Sequence, residues 1–103
     1  MKTPSDSFAN SPGHGVRVRR RRVTFRLKAA DGKEVCVAGT FNDWNPAANR
    51  LKFKDGEYRT TLLLPPGRYE YKFVIDGIWC VDPACPDWAP NGFGALNSVM
   101  TVA

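Results

Sequence analysis

Leu64-Pro65-Pro66-Gly67-Arg68-Tyr69-Glu70-Tyr71-Lys72-Phe73-Val74-Ile75-Asp76-Gly77-Ile78-Trp79 is the stretch that decides the fold. From Arg68 to Ile75, Tyr69, Tyr71, Phe73 and Ile75 fall on one side of an extended chain and Arg68, Glu70, Lys72 and Val74 on the other. This period of two, with aromatic residues along one side, predicts a central strand whose aromatic face meets the core. Pro65-Pro66-Gly67 ends the element before it, and Asp76-Gly77 is a turn that returns the chain as a brief strand from Ile78 to Val81.

Upstream, Val23, Phe25 and Leu27 alternate with Arg22, Thr24, Arg26 and Lys28, the pattern of a half-buried strand. Asp31-Gly32 reads as a turn into a second strand, Glu34 to Gly39, so these two strands are expected to form a hairpin. Leu51 to Lys54, Asp55-Gly56 and Glu57 to Leu64 read as another hairpin. Downstream, the connection from Asp82 to Leu96 carries Pro83, Pro86, Pro90, Gly92 and Gly94 and is long for a compact domain. Its Trp88 and Phe93 argue against disorder. Asn97 to Val102 is the last strand, and no segment sustains a 3.6-residue period. The predicted fold is all-β: an immunoglobulin-like antiparallel β-sandwich of about seven strands.

A chain of 103 residues is expected to hold one such domain and no second. Residues 1–15, rich in Ser, Pro, Gly and Asn, are expected to be a flexible tail, and residues 16–103 the sandwich. The N-terminus lacks the apolar segment of a signal peptide, and no run approaches the ~18 apolar residues of a membrane span. A cytoplasmic location and no membrane partner are the expectation. Cys36, Cys80 and Cys85 are odd in number and read as reduced, with a Cys80–Cys85 bridge the lesser alternative; they form no closed zinc set. The formal net charge of +5 is concentrated in Arg17, Arg19, Arg20, Arg21 and Arg22. Such a run can grip a polyanion, or it can be a solvated flank that guards an edge strand. With no base-stacking motif beside it, the flank is the preferred reading and nucleic acid is not an expected partner.

The functional signal lies in two tryptophans. Trp44 follows Asn42-Asp43 and Trp79 follows Asp76-Gly77, so each stands where the chain reverses at the surface and has little protein to pack on. An exposed indole suits the apolar face of a sugar ring, and its N–H stays free for a hydroxyl. The alternative for each is a strand-end core position. Tyr58, Tyr69, Tyr71, Phe25, Phe53 and Phe73 lie in strand patterns and are expected in the core, and Trp88 is read as cover for the sandwich end. His14 falls in the tail, the aspartates sit mostly in turns, and a small sandwich has no deep cleft to hold two carboxyls across a glycosidic bond. Catalysis is not expected, nor is any cofactor.

Val35-Cys36-Val37-Ala38-Gly39-Thr40-Phe41-Asn42-Asp43-Trp44, the stretch Leu64 to Trp79, and Asp82-Pro83 together resemble family 48 carbohydrate-binding modules. That family includes the glycogen-binding domain of the AMP-activated protein kinase β subunit and the early-set domains preceding glycogen branching and debranching enzymes. The resemblance covers roughly residues 20–102. It implies an early-set sandwich that binds α-1,4-glucans such as glycogen, starch, maltodextrin or cyclodextrin, either alone or beside a glycogen- or starch-metabolising enzyme. Trp44 and Trp79 match the family's stacking positions, Lys72 its hydroxyl-binding lysine and Asn97 its hydroxyl-binding asparagine. Phe93 stands where the kinase modules have a leucine, and Ala95 where they have a threonine. The first departure offers a third stacking surface; the second removes a hydrogen bond of about 0.5–1.5 kcal/mol. The other class of function for these residues is a protein-interaction or scaffold domain without sugar affinity, using the same aromatic patch.

Overall fold

A computed structural model describes residues 19–103, which contain eight strands and no helix. They run as β1 (Arg21–Lys28), β2 (Val35–Gly39), β3 (Lys52–Lys54), β4 (Glu57–Leu64), β5 (Gly67–Ile75), β6 (Ile78–Cys80), β7 (Trp88–Pro90) and β8 (Leu96–Val102). The tail expected over 1–15 lies outside the described residues, as does Arg17 of the arginine run. Two antiparallel sheets face each other: β1-β4-β3, and β2-β5-β8-β7 with β6 also paired to β5. β5 is central as predicted, with β2 along one edge and β8 followed by β6 along the other.

The alternation places the core. Phe25 and Leu27 of β1 and Tyr58 and Leu64 of β4 meet Val35, Val37, Tyr71 and Phe73 of the opposite sheet, all buried. Phe25 lies 5.1 Å from Tyr71 across the two layers, and Tyr71 lies 6.0 Å from Phe73 along β5, both edge to face. Phe53 departs from the expected core set; in the middle of the short edge strand β3 it remains 36% exposed, with one edge against Tyr58.

The hairpin expected between the first two strands does not form. β1 pairs with β4 and β2 with β5, so the Ala29–Glu34 connection crosses from one sheet to the other. Tyr58 supports the crossing: its hydroxyl donates to the Ala30 carbonyl at 2.8 Å and accepts from the Lys33 N–H at 2.9 Å. Six residues between the strands are enough to step across a sandwich, whereas a tight hairpin would have required β1 and β2 in the same layer. The two other Asp-Gly turns behave as predicted. Asp55-Gly56 and Asp76-Gly77 have positive φ at both positions and close the β3–β4 and β5–β6 hairpins.

The Asp82–Leu96 connection contains a strand, β7, that pairs with β8. As the last strand of its sheet β7 can carry Pro90, because one edge needs no partner. The connection is pinned at its start by Asp82, a buried carboxylate. Its Oδ2 accepts from the Tyr71 hydroxyl at 2.6 Å, its Oδ1 accepts from the Ala84 N–H, and its own N–H donates to the Ser98 hydroxyl.

Candidate functional site

The site lies on the outer face of the larger sheet, where the residues that alternate with the core point. Register sets Cys36 beside Val74 and Val74 beside Trp79, with Ala38 beside Lys72 in the next row. Trp44 packs onto Cys36, Ala38 and Val74 from the loop after β2. Small side chains at Cys36 and Ala38 leave room for the indole to lie low on the sheet. Burial, and then the charge of Glu34, push the Cys36 thiol upward, so it stays protonated under this cover.

Asn42 shapes that loop. Its Oδ1 accepts from the Gly39 N–H at 2.9 Å, and its Nδ2 donates to the Val37 carbonyl and to Asn49 Oδ1. The Trp44 N–H donates to the Gly39 carbonyl at 2.9 Å. Asp43 and Trp44 both take left-handed φ values, 56° and 58°. That conformation is tolerable for Asp but costs on the order of 1–3 kcal/mol for a bulky residue, and the surrounding hydrogen bonds hold it in place. Its effect is to turn the Trp44 ring onto the sheet beside Trp79.

Trp79 reaches the same place through the β5–β6 hairpin. Asp76 anchors this hairpin to β2: its N–H donates to the Glu34 carbonyl and its Oδ1 accepts from the Glu34 N–H, both at 2.8 Å. The two indole rings stand 6.5 Å apart, inclined at 42°, and Trp79 is 43% exposed. They form two walls of an open hollow of about 480 Å³, completed by Lys72, Asn91, Phe93 and Asn97. All five residues singled out from the sequence therefore line one depression.

Their surroundings differ. Lys72 is half-buried on the floor, and among the described residues no carboxylate pairs with its ammonium. Asn97 is buried, and its Nδ2 donates to Glu70 Oε1 at 3.0 Å, leaving the second N–H and the Oδ1 uncommitted. Glu70 is held from its other side by Arg68 at 2.8 Å. The Asn97 hydrogen bond, and then the Arg68 contact, hold the Glu70 carboxyl below the usual carboxylate range. Phe93 is 92% exposed at the tip of the β7–β8 loop. A side chain so naked is held by its backbone: Asn91 Oδ1 accepts from the N–H groups of Phe93 and Ala95, and the Asn91 N–H donates to the Ala95 carbonyl.

Asn91 is the site residue that sequence reasoning missed. Its signal was present in the Asn91-Gly92 pair, a strong turn former whose side chain commonly caps its own loop. Trp88 does not join the site. It pairs with Ser98, which pairs with Tyr71, so it belongs to the inner side of the sheet near the edge and is 56% exposed there. A larger hollow of about 770 Å³ opens at the sandwich end between Asp31–Glu34 and Arg50–Phe53. Its two aromatic residues, Phe53 and Tyr58, pack on each other at 5.0 Å and offer no paired platform, so the smaller hollow is the better candidate.

Comparison with known proteins identifies the family of the fold. The sequence profile described as "Glycogen recognition site of AMP-activated protein kinase" matches residues 22–103. The 5'-AMP-activated protein kinase subunit beta-1 of Sus scrofa is 35% identical over 82 residues, covering 80% of this chain and 64% of the relative. Protein FLOURY ENDOSPERM 6, chloroplastic, of Oryza sativa subsp. japonica is 33% identical over 81 residues, covering 79% of this chain and 15% of the relative. Protein PTST homolog 2, chloroplastic, of Arabidopsis thaliana is 38% identical over 60 residues, covering 58% and 11%. The chain thus spans less than two thirds of each of these relatives. Among solved structures, the maltogenic amylase from S. marinus shares the fold over 82% of this chain and 14% of its own, with a TM-score of 0.69 at 20% identity. With its early-set type of sandwich and a profile match over nearly all the described residues, the chain belongs to the glycogen-recognition domain family of the AMP-activated protein kinase, a family of non-catalytic carbohydrate-binding modules.

Proposed function

We propose that this chain binds α-1,4-linked glucans and performs no chemistry on them, with Trp44, Lys72, Trp79, Phe93 and Asn97 as the contacting residues. The observation that carries this reading is the tryptophan pair: two indoles 6.5 Å apart and inclined at 42° around one hollow with Lys72 and Asn97. Inclined faces suit a chain that curves, as α-1,4-glucans do, better than a flat ribbon. Successive sugar rings stack on Trp44 and Trp79, Phe93 closes over an outer face, and the Lys72 ammonium and Asn97 amide bind hydroxyls. An open site of this size should bind with a dissociation constant of roughly 10 µM to 1 mM, about −4 to −7 kcal/mol.

The description of the matching profile supports glycogen as the source of the glucan; starch as a second source, and an enzyme of glycogen or starch metabolism as the protein beside which the domain works, belong to the proposal. The proposed location is cytoplasmic; relatives named as chloroplastic make the plastid the alternative compartment. The competing reading, a protein-docking domain without sugar affinity, draws on the same aromatic patch, where Trp79 is 43% and Phe93 92% exposed. Calorimetric titration with β-cyclodextrin and affinity electrophoresis in glycogen separate the two. Saturable binding that is insensitive to salt is expected, and no binding by the folded wild-type domain would overturn the glucan reading in favour of docking.

A further inference from the structure

Glucan binding leaves the outer face of the smaller sheet unexplained. Register lays that face out in rows: Lys28, Glu57 and Lys54; then Arg26, Arg59 and Lys52; then Thr24 and Thr61; then Arg22 and Leu63. Six positions are cations and one, Glu57, is an anion. Directly opposed like charges on neighbouring strands repel, and here three cations, Arg26, Arg59 and Lys52, sit side by side across three strands. Glu57 relieves this only in part. Its Oε2 lies 3.5 Å from Arg59 Nε and 4.0 Å from Arg26 Nε, Asp55 Oδ2 in the β3–β4 turn lies 3.9 Å from a terminal nitrogen of Arg59, and no carboxylate pairs with Lys52 among the described residues. Arg59 Nε is buried and makes no hydrogen bond. A local conflict that packing does not resolve marks a surface built for something outside the domain.

We propose that this face docks an acidic polypeptide segment of a partner protein. Carboxylates would supply the charge the face lacks, and guanidinium groups bind them through paired hydrogen bonds. Two further features suit a polypeptide. β1 is an edge strand among the described residues, so its free N–H and C=O groups can pair with an incoming strand, and Leu63, 57% exposed, can take an apolar side chain. Nucleic acid has no use for either feature, and no exposed aromatic lies on this face among the described residues to stack a base. A second copy of the chain carries the same positive charge and is repelled. Because the sheets lie back to back, a partner here leaves the tryptophan hollow open.

The test uses the full chain and a labelled synthetic peptide of alternating Glu and Val, with a DNA duplex as competitor. The expected result is peptide binding that weakens as salt rises and falls at least tenfold in Arg26→Thr/Lys52→Thr. That variant should bind β-cyclodextrin like the wild type and melt no lower, since repulsion is relieved. Failure of glucan binding would leave this result untouched, because the two faces are separate. The proposal is overturned if the peptide does not bind at low salt, or if the duplex is bound in preference to it. It is also overturned if binding survives in Arg26→Thr/Lys52→Thr but is lost in Arg19→Ser/Arg20→Ser, which would assign the effect to the arginine arm.

Discussion

Replacing Trp79 by alanine should remove a large part of the glucan affinity while leaving the domain folded, and the structure supplies the size of the effect. Trp79 is 43% exposed on the three-residue strand β6. A tryptophan offers about 150–250 Å² of surface, so roughly 65–105 Å² of indole is available for a sugar. At about 25 cal/mol per Å² the loss is about 2 kcal/mol, or roughly thirtyfold in dissociation constant. Trp88→Ala is the matched control. Trp88 is more exposed, at 56%, but stands on the inner side of the sheet away from the hollow. If exposure alone made a tryptophan a ligand, Trp88 would matter more; if position decides, its loss changes affinity by less than about twofold. The assay is calorimetric titration of β-cyclodextrin into each variant, with thermal melts to confirm folding. Trp79→Ala binding within threefold of wild type, or equal losses for both variants, would refute the reasoning.

Two further outcomes follow from the geometry. In Gly39→Ala the added Cβ would sit 2.5 Å from the Glu70 carbonyl oxygen, 2.6 Å from the Phe41 ring and 2.8 Å from Tyr71 Cβ. Overpacking there should cost about 1–3 kcal/mol, a fall of roughly 5–20 °C in Tm, and loosen the loop whose Trp44 N–H bonds to the Gly39 carbonyl; an unchanged melt would contradict this. Glu70 supplies the pH test. Its folded pKa is depressed, first by Asn97 and then by Arg68, so its contribution is complete above the ordinary carboxylate value of about 4.3 and is lost as pH falls through the lower folded value. Cyclodextrin affinity should therefore be level from about pH 7 down to the ordinary carboxylate value of about 4.3 and decline only below it as Asn97 loses its anchor, with the decline absent in Glu70→Gln; a wild-type profile already falling near pH 6 would rule this out.

The face proposed to bind glucan is prepared by the backbone more than by the side chains themselves. Trp44 lies on the sheet because its residue and the one before it take left-handed φ under the control of Asn42 and Gly39. Phe93 projects because Asn91 closes the loop beneath it. Such restraint lowers the ordering cost of binding, which otherwise consumes much of the gain from a shallow contact.

What the sequence determined alone were properties carried by neighbours along the chain. Alternation at Tyr69, Tyr71, Phe73 and Ile75, and at Val23, Phe25 and Leu27, identified strands and their core faces, and Asp55-Gly56 and Asp76-Gly77 identified hairpins. Turn chemistry around Trp44 and Trp79, together with the family resemblance, named five residues that line one hollow. Tertiary structure decided which elements meet. The turn signal at Asp31-Gly32 could not say that β1 and β2 part into different sheets, because that depends on Phe25 and Val35 finding each other across the core. The prolines of Asp82–Leu96 concealed β7, which exists because β8 offers it an edge. Nor could the sequence range Arg26, Arg59 and Lys52 side by side, since they come from three separate strands. A strand's period is set by bond geometry within a few residues, whereas its partners are chosen by burial among groups far apart in the chain.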